Sequence, residues 1–266
     1  MILRRIKTFL GALLLIGLAF SSAIMLFLLY MKIIDNNEPP PIYDSFSPAA
    51  ALSDMNSLED EDNRKKLSAM IDAPIIMQKP ELFNGCEITA LTMLFQYKGI
   101  KKNKMELVPE MKKDSTTIQY NPNGTIKYWG NPNLGFVGDV TGKQKGLGIY
   151  HAALSELLLK YIPTGVDLTG SSFDDLERQV SNGIPVLVWT TVSFTVPADK
   201  QWVVWDTSIG PIRTTFQEHT VLLVGYDEKN VYVNDPLSGR KQLRIEKERF
   251  IATWEALGKQ ALSYTE

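Results

Sequence analysis

The hydrophobic and polar positions of this chain fall into two regimes, one near the N-terminus and one after about residue 70. Across residues 9–30, 22 consecutive positions carry no charged side chain. At about 1.5 Å per residue, a helix of that length covers the roughly 30 Å hydrocarbon core of a bilayer. Only a helix lets a lone segment satisfy its own backbone hydrogen bonds in lipid. Arg4, Arg5 and Lys7 precede the run, whereas Lys32 alone follows it before Asp35 and Glu38. That asymmetry predicts a cytoplasmic N-terminus and export of everything after the span. A cleaved signal peptide is the alternative, with small residues at Ser21 and Ala23. Residues 24–30 beyond them are still apolar, where a cleavable signal turns polar, which favours a retained anchor.

After residue 70 the apolar positions recur at helix and strand periods. Ile88, Leu91, Leu94 and Phe95 make a helical stripe over residues 87–97. Residues 152–161 and 173–180 read likewise, the second opened by Ser172 with Asp175 three positions on and closed by Gly183. Residues 186–192 form an apolar run suited to a buried strand. Residues 220–225 and 231–234 predict two strands joined through Asp227, Glu228, Lys229 and Asn230, and residues 246–257 predict an amphipathic helix. The stretch 121–148, rich in Gly, Asn and Pro, shows no period and is predicted to be a long ordered surface loop. Helices first and strands later predict an α+β domain.

Between the two regimes lie Pro39, Pro40 and Pro41, in a segment (residues 36–51) that predicts an extended stalk. Residues 57–70, acidic first and basic last, suit a short solvated spacer helix with a complemented dipole. The organisation expected is therefore a cytoplasmic tip and transmembrane helix over residues 1–32, a stalk and spacer over 33–70, and one globular domain over 71–266. Composition adds only exclusions. With 22% charged residues, a net charge of -2 and no basic block interleaved with aromatics, the chain is not built for nucleic acid.

Candidate chemistry centres on Cys86, the only cysteine. An unpaired thiol in an exported domain is buried, joined to another chain, or used. Asn84, with Glu87 at the third position, resembles a capping box and predicts Cys86 in the first helical turn, where the positive dipole end favours thiolate. Gly85 leaves room for an approaching substrate backbone. The same pattern equally fits a small buried hydrophobe at a helix start. A thiolate needs a base that titrates near neutrality, and the chain has two histidines. His151 sits at a helix start and suits a structural role, whereas His219 opens an apolar strand. Asp235, or failing that Asn234, would orient the imidazole. A two-residue turn would put Asp235 on the wrong face of the hairpin, and a three-residue loop ending with Asn230 in the left-handed region would restore it. Gln78 is the amide available to stabilise an oxyanion together with the Cys86 N–H.

Gln78 followed by Pro80-Glu81-Leu82-Phe83-Asn84-Gly85-Cys86-Glu87-Ile88-Thr89-Ala90-Leu91 resembles the signature of the bacteriocin-processing (double-glycine) peptidase-like family of papain-like cysteine peptidases, in its stand-alone exported branch. Later stretches agree in order. Trp129-Gly130-Asn131-Pro132 with Gly135-Phe136-Val137-Gly138-Asp139 is similar to the central loop of that branch. Asn182-Gly183-Ile184-Pro185-Val186 resembles its strand start. Glu218-His219-Thr220-Val221 through Tyr226-Asp227, then Val233-Asn234-Asp235-Pro236, resemble its His and Asp blocks. The resemblance covers residues 71–254. It implies a nucleophile-bearing helix packed on an antiparallel sheet, with Cys86 as nucleophile, His219 as base, Asp235 as orienting group and Gln78 as oxyanion donor. Gln78 stands eight residues before Cys86, further than is usual for papain-like enzymes, and His151 matches no catalytic block. No transporter or nucleotide-binding segment follows the domain, so a stand-alone enzyme is expected rather than a leader-peptidase exporter.

The function expected from these residues is hydrolysis of peptide bonds outside the membrane by a Cys-His-Asp triad, with no metal or cofactor. The partners expected are a peptide or protein substrate and the lipid bilayer, the latter through residues 9–30. Two alternatives stand beside it. One is cleavage of cell-wall peptide or amide bonds. The other is a catalytically silent binding module, with Trp202 and Trp205 as a recognition surface, although aromatics at this spacing favour strand core.

Overall fold

Every residue from Cys86 to Phe95 is buried, so the apolar stripe predicted for one face belongs to a helix enclosed on all sides. In this computed structural model, residues 25–26 and 65–266 are described. The proposed anchor (but for Met25 and Leu26, both helical), the proline stalk and spacer residues 57–64 lie outside the described residues. Among the described residues no helix is long and apolar enough to cross a membrane.

Residues 65–266 form one compact unit. Its helices are α1 (Cys86–Tyr97), α2 (Lys104–Leu107), α3 (His151–Tyr161), α4 (Phe173–Ser181) and α5 (Lys247–Ala256). The strands of the first half are β1 (Ala69–Met70), β2 (Lys113–Asp114), β3 (Gln119–Tyr120), β4 (Ile126–Tyr128), β5 (Phe136–Gly138), β6 (Gly146–Gly148) and β7 (Gly165–Asp167). Those of the second half are β8 (Val186–Thr191), β9 (Trp202–Thr207), β10 (Gly210–Thr215), β11 (Glu218–Tyr226), β12 (Asn230–Asp235), β13 (Arg240–Glu246) and β14 (Ala261–Tyr264).

The main sheet runs β13-β12-β11-β8-β14-β7, with β1 added against β11, and its pairings are antiparallel. All residues of β8 and β11 are buried, so both faces of the sheet are covered at its centre. Helix α1 packs on β11 and β8, and α4 and α5 also contact the central strands. Two smaller sheets, β10-β9-β4-β3 and β2-β5-β6, share a second core in which Trp129 and Trp205 meet at 5.5 Å between centroids. Trp205 is therefore core. Trp202 is half-buried under the Arg213 guanidinium, at 3.9 Å.

The α+β class holds, with four corrections. The stretch 121–148 is not one loop: it contains β4, β5 and β6, each three residues long and too short to show a period. The end of the spacer, Ala69–Met70, is a strand paired to Tyr226 and Gly225 rather than helix, because it finds an open edge on β11. Helix α1 is capped by Gly85 without a side-chain bond, and Asn84 instead donates to the Asp139 carbonyl at 2.7 Å. Gly85 is needed for packing rather than for substrate access, since a Cβ there would stand 2.5 Å from Leu82 Cβ. By contrast, Ser172 and Asp175 form a complete capping box on α4, as the sequence predicts.

Candidate active site

The candidate base and its orienting carboxylate depend on strand register. The turn between β11 and β12 has the register of a two-residue loop, and Asn230 is not in the left-handed region that the three-residue alternative requires. Tyr226 pairs with Val231, Asp227 N–H donates to the Asn230 carbonyl at 2.9 Å, and Asn230 begins β12. Continued unbroken, that register would leave Asp235 on the face opposite His219. The pairing shifts by one residue between Leu223 and Gly225, so that Leu222 faces Asn234. Asp235 then lies opposite Val221, two positions from His219 and on its face. A bulge supplies what the loop does not.

The structure accordingly brings His219 and Asp235 together, with Nε2 to Oδ1 at 2.7 Å, both side chains buried. Asp235 Oδ1 also accepts the Leu237 N–H, and Oδ2 accepts the Ser238 hydroxyl. Burial works to raise the Asp235 pKa, but His219, Ser238 and Leu237 override it and hold it down to about 2. A depressed carboxylate contributes stability above its unfolded value and loses it as pH falls through the folded one. The expected result is therefore a loss of about 2 kcal/mol between roughly pH 4 and pH 2 that Asp235→Asn does not show, read from urea midpoints across that range. Asn234 is not the orienting group. It is fully buried and fastens the segment before the nucleophile, donating to the Ala73 and Pro74 carbonyls and accepting the Gln242 N–H.

Cys86 is the first residue of α1, in the first turn as expected, and is 6% exposed. Its sulfur donates to Glu87 Oε2 at 3.3 Å. Among the described residues it makes no hydrogen bond to His219. Thiolate stabilisation by the helix end is overridden here. Burial pushes the Cys86 thiol well up, the charges of Glu87 and Glu218 push it further, and a hydrogen bond from the Thr220 backbone pulls the other way.

Gln78 is 2% exposed, with Nε2 donating to the Phe83 carbonyl at 2.8 Å and Oε1 buried without a partner. Its backbone is held by Pro236 and by Lys104, whose ammonium donates to the Met77 and Gln78 carbonyls and pairs with Glu81. Lys104 was not predicted. A lysine in a short helix looks like a surface residue, and nothing local marks it as a clamp on the Gln78 segment. His151 is structural, opening α3 with Nδ1 on Asp167 Oδ2 at 2.6 Å.

Glu87, read from sequence only as a capping residue, and Glu218, quoted only beside His219, were not singled out there as site residues. Both are buried, and their carboxylate oxygens and Cys86 Sγ lie within 4.8 Å of one another. Those three atoms are also the set that could hold a divalent cation. A signal existed for each, since Glu87 interrupts the apolar α1 and Glu218 starts an apolar strand.

A nucleophile candidate at the start of a buried helix, set beside an antiparallel sheet that carries a His-Asp pair, defines a papain-like arrangement. The chain belongs to the Peptidase_C39 like family, whose match covers residues 70–262. It is 36% identical over 226 residues to the uncharacterized protein YvpB of Bacillus subtilis (strain 168), covering 84% of this chain and 86% of that one. It is also similar to a crystal structure from Bacillus anthracis described as a candidate C39-like peptidase. That match has 39% identity and a TM-score of 0.69, and covers 76% of this chain and 98% of the other.

Proposed function

We propose that this chain is a membrane-anchored cysteine peptidase whose catalytic domain lies outside the cell and hydrolyses peptide bonds. The observation that carries the reading is the buried His219–Asp235 pair. With Nε2 committed to Asp235, Nδ1 is the ring nitrogen available to a thiol. Family membership supports the peptidase class, and the uncharged run at residues 9–30 behind Arg4, Arg5 and Lys7 supports the anchor.

In the reaction, Cys86 turns its S–H from Glu87 to His219 Nδ1. The sulfur attacks the carbonyl carbon of the scissile amide as the proton passes to the imidazole. The oxyanion is met by the Cys86 N–H and the second N–H of the Gln78 amide. Imidazolium then protonates the leaving amine, giving a thioester and a free amine. His219 next takes a proton from water, hydroxide attacks the thioester, and the acid product leaves with the thiol restored. Asp235 holds the ring tautomer and stabilises the imidazolium throughout.

Because Cys86 is the only cysteine, one reagent tests the assignment without mutation. The full chain incubated with an unfolded protein is expected to produce new peptide termini, mapped by mass spectrometry. Prior alkylation with iodoacetamide is expected to stop it. Cleavage that survives complete alkylation overturns the reading. Absence of cleavage of protein and cell-wall peptide alike returns the silent-module reading, which the Cys86–Glu87 hydrogen bond favours.

A further inference from the structure

Two carboxyls and a thiol meet in one buried corner of the candidate site. Cys86 Sγ, a Glu87 carboxylate oxygen and a Glu218 carboxylate oxygen all lie within 4.8 Å of one another. Among the described residues, neither carboxylate forms an ion pair with Lys, Arg or His. Buried charges are either paired or coordinate a metal. Each carboxylate has one oxygen fixed by a neighbour, as outer partners fix metal ligands. Glu87 Oε1 accepts the Ile149 N–H at 2.8 Å, which leaves Oε2 against the sulfur at 3.3 Å. Glu218 Oε1 accepts the Thr220 hydroxyl at 3.2 Å, and its Oε2 is buried without a partner on a residue only 7% exposed. Gly148 keeps the corner open: a Cβ there would stand 3.0 Å from Glu218 Oε2 and 2.1 Å from Glu87 Oε1.

We infer that Cys86, Glu87 and Glu218 bind one Zn2+ ion, which holds the sulfur as thiolate and withdraws it from attack. Spacing and donor chemistry both point to zinc. A tetrahedral Zn2+ about 2.3 Å from sulfur and about 2.0 Å from oxygen keeps those two donors about 3.5 Å apart. Cys86 Sγ and Glu87 Oε2, at 3.3 Å, already have that span. Glu218 Oε2 supplies the third ligand after a small side-chain rotation, and water takes the fourth position. Mg2+ and Ca2+ take oxygen donors and gain nothing from a thiolate, whereas Zn2+ accepts sulfur and oxygen together and has no redox chemistry. On binding, the Cys86 S–H bond breaks, an S–Zn bond forms and the proton leaves to water, while Glu87 Oε2 exchanges the S–H for the metal. Metal binding here does not depend on the peptidase reading. Its consequence, a reversible block of the nucleophile, rests on that reading.

Four readouts on the full chain test this, and none involves hydrolysis, so the metal site and the peptidase reading can fail separately. One equivalent of Co2+, a coloured stand-in for Zn2+, is expected to give a thiolate-to-cobalt charge-transfer band that added Zn2+ removes. Cys86 is the only cysteine, so the band reports this sulfur. No band, or one that Zn2+ does not displace, overturns the proposal. Glu218→Gln, whose amide is a poor ligand, is expected to weaken Zn2+ binding roughly 100-fold, read by competition with a chromophoric chelator. Unchanged affinity refutes the site. X-ray absorption at the zinc edge of the wild type covers the case in which that variant does not fold. One sulfur among oxygens is expected there, and imidazole scattering, which would put His219 on the metal in place of a carboxylate, sinks the assignment. Saturating Zn2+ is also expected to slow iodoacetamide alkylation of Cys86 by about tenfold or more, with EDTA restoring the rate. Alkylation at the same rate with Zn2+ present would show that no metal holds the sulfur.

Discussion

Replacing His219 by alanine is expected to lower kcat on a peptide substrate by about 1000-fold, roughly 4 kcal/mol of transition-state stabilisation. Cys86→Ala is expected to leave no turnover. The magnitude follows from what surrounds the sulfur. Burial and the charges of Glu87 and Glu218 push the Cys86 thiol up, so the sulfur needs a base to remove its proton, and in the proposed mechanism that base is the His219 imidazole. Without it the leaving amine also lacks a proton donor, so both halves of the reaction slow. Asp235 keeps its Leu237 and Ser238 hydrogen bonds in the variant, so the fold should persist, which an unfolding midpoint verifies. A His219→Ala enzyme within tenfold of the wild-type initial rate would remove His219 from the mechanism.

The second large effect is expected at Gly148, the last residue of β6. Its φ is +152°, and a Cβ there would stand 2.1 Å from Glu87 Oε1. That oxygen cannot swing aside freely, because it accepts the Ile149 N–H. Gly148→Ala must therefore either push Glu87 off its backbone partner or distort β6 in a conformation that L side chains rarely adopt. The expected cost is about 3 kcal/mol, combining backbone strain with overpacking. A shift of the urea midpoint at constant m-value measures it. The same variant should disturb Cys86, since Glu87 Oε2 accepts the S–H. An unchanged midpoint would mean that this corner is looser than its geometry indicates.

Much of the helical frame was legible in the chain. Helices α1, α3 and α4 each carry repeated apolar positions, and α4 adds the Ser172–Asp175 box, so local chemistry alone specifies them. The hairpin β9–β10, the closing strand β14 and the three-residue strands between residues 121 and 148 were not legible. Strands that short have no measurable period, and they exist because partners distant in sequence complete their hydrogen bonds. The supposed cap at Asn84 failed for a related reason: its amide finds the Asp139 carbonyl, 55 residues away.

The site divides in the same way. Sequence alone singled out Cys86, His219 and Asp235, because a lone cysteine, a histidine at a strand start and a carboxylate in the next strand are local facts. Whether His219 and Asp235 could meet depended on the parity of one hairpin, which a single shifted residue near Val224 reverses. Only the folded chain fixes that parity, since alternation along a strand assigns faces relative to a register that local sequence does not contain. The protonation of the sulfur was decided at the same level. A helix end favours thiolate, but packing buries the sulfur and sets two acids beside it, and both push the thiol up.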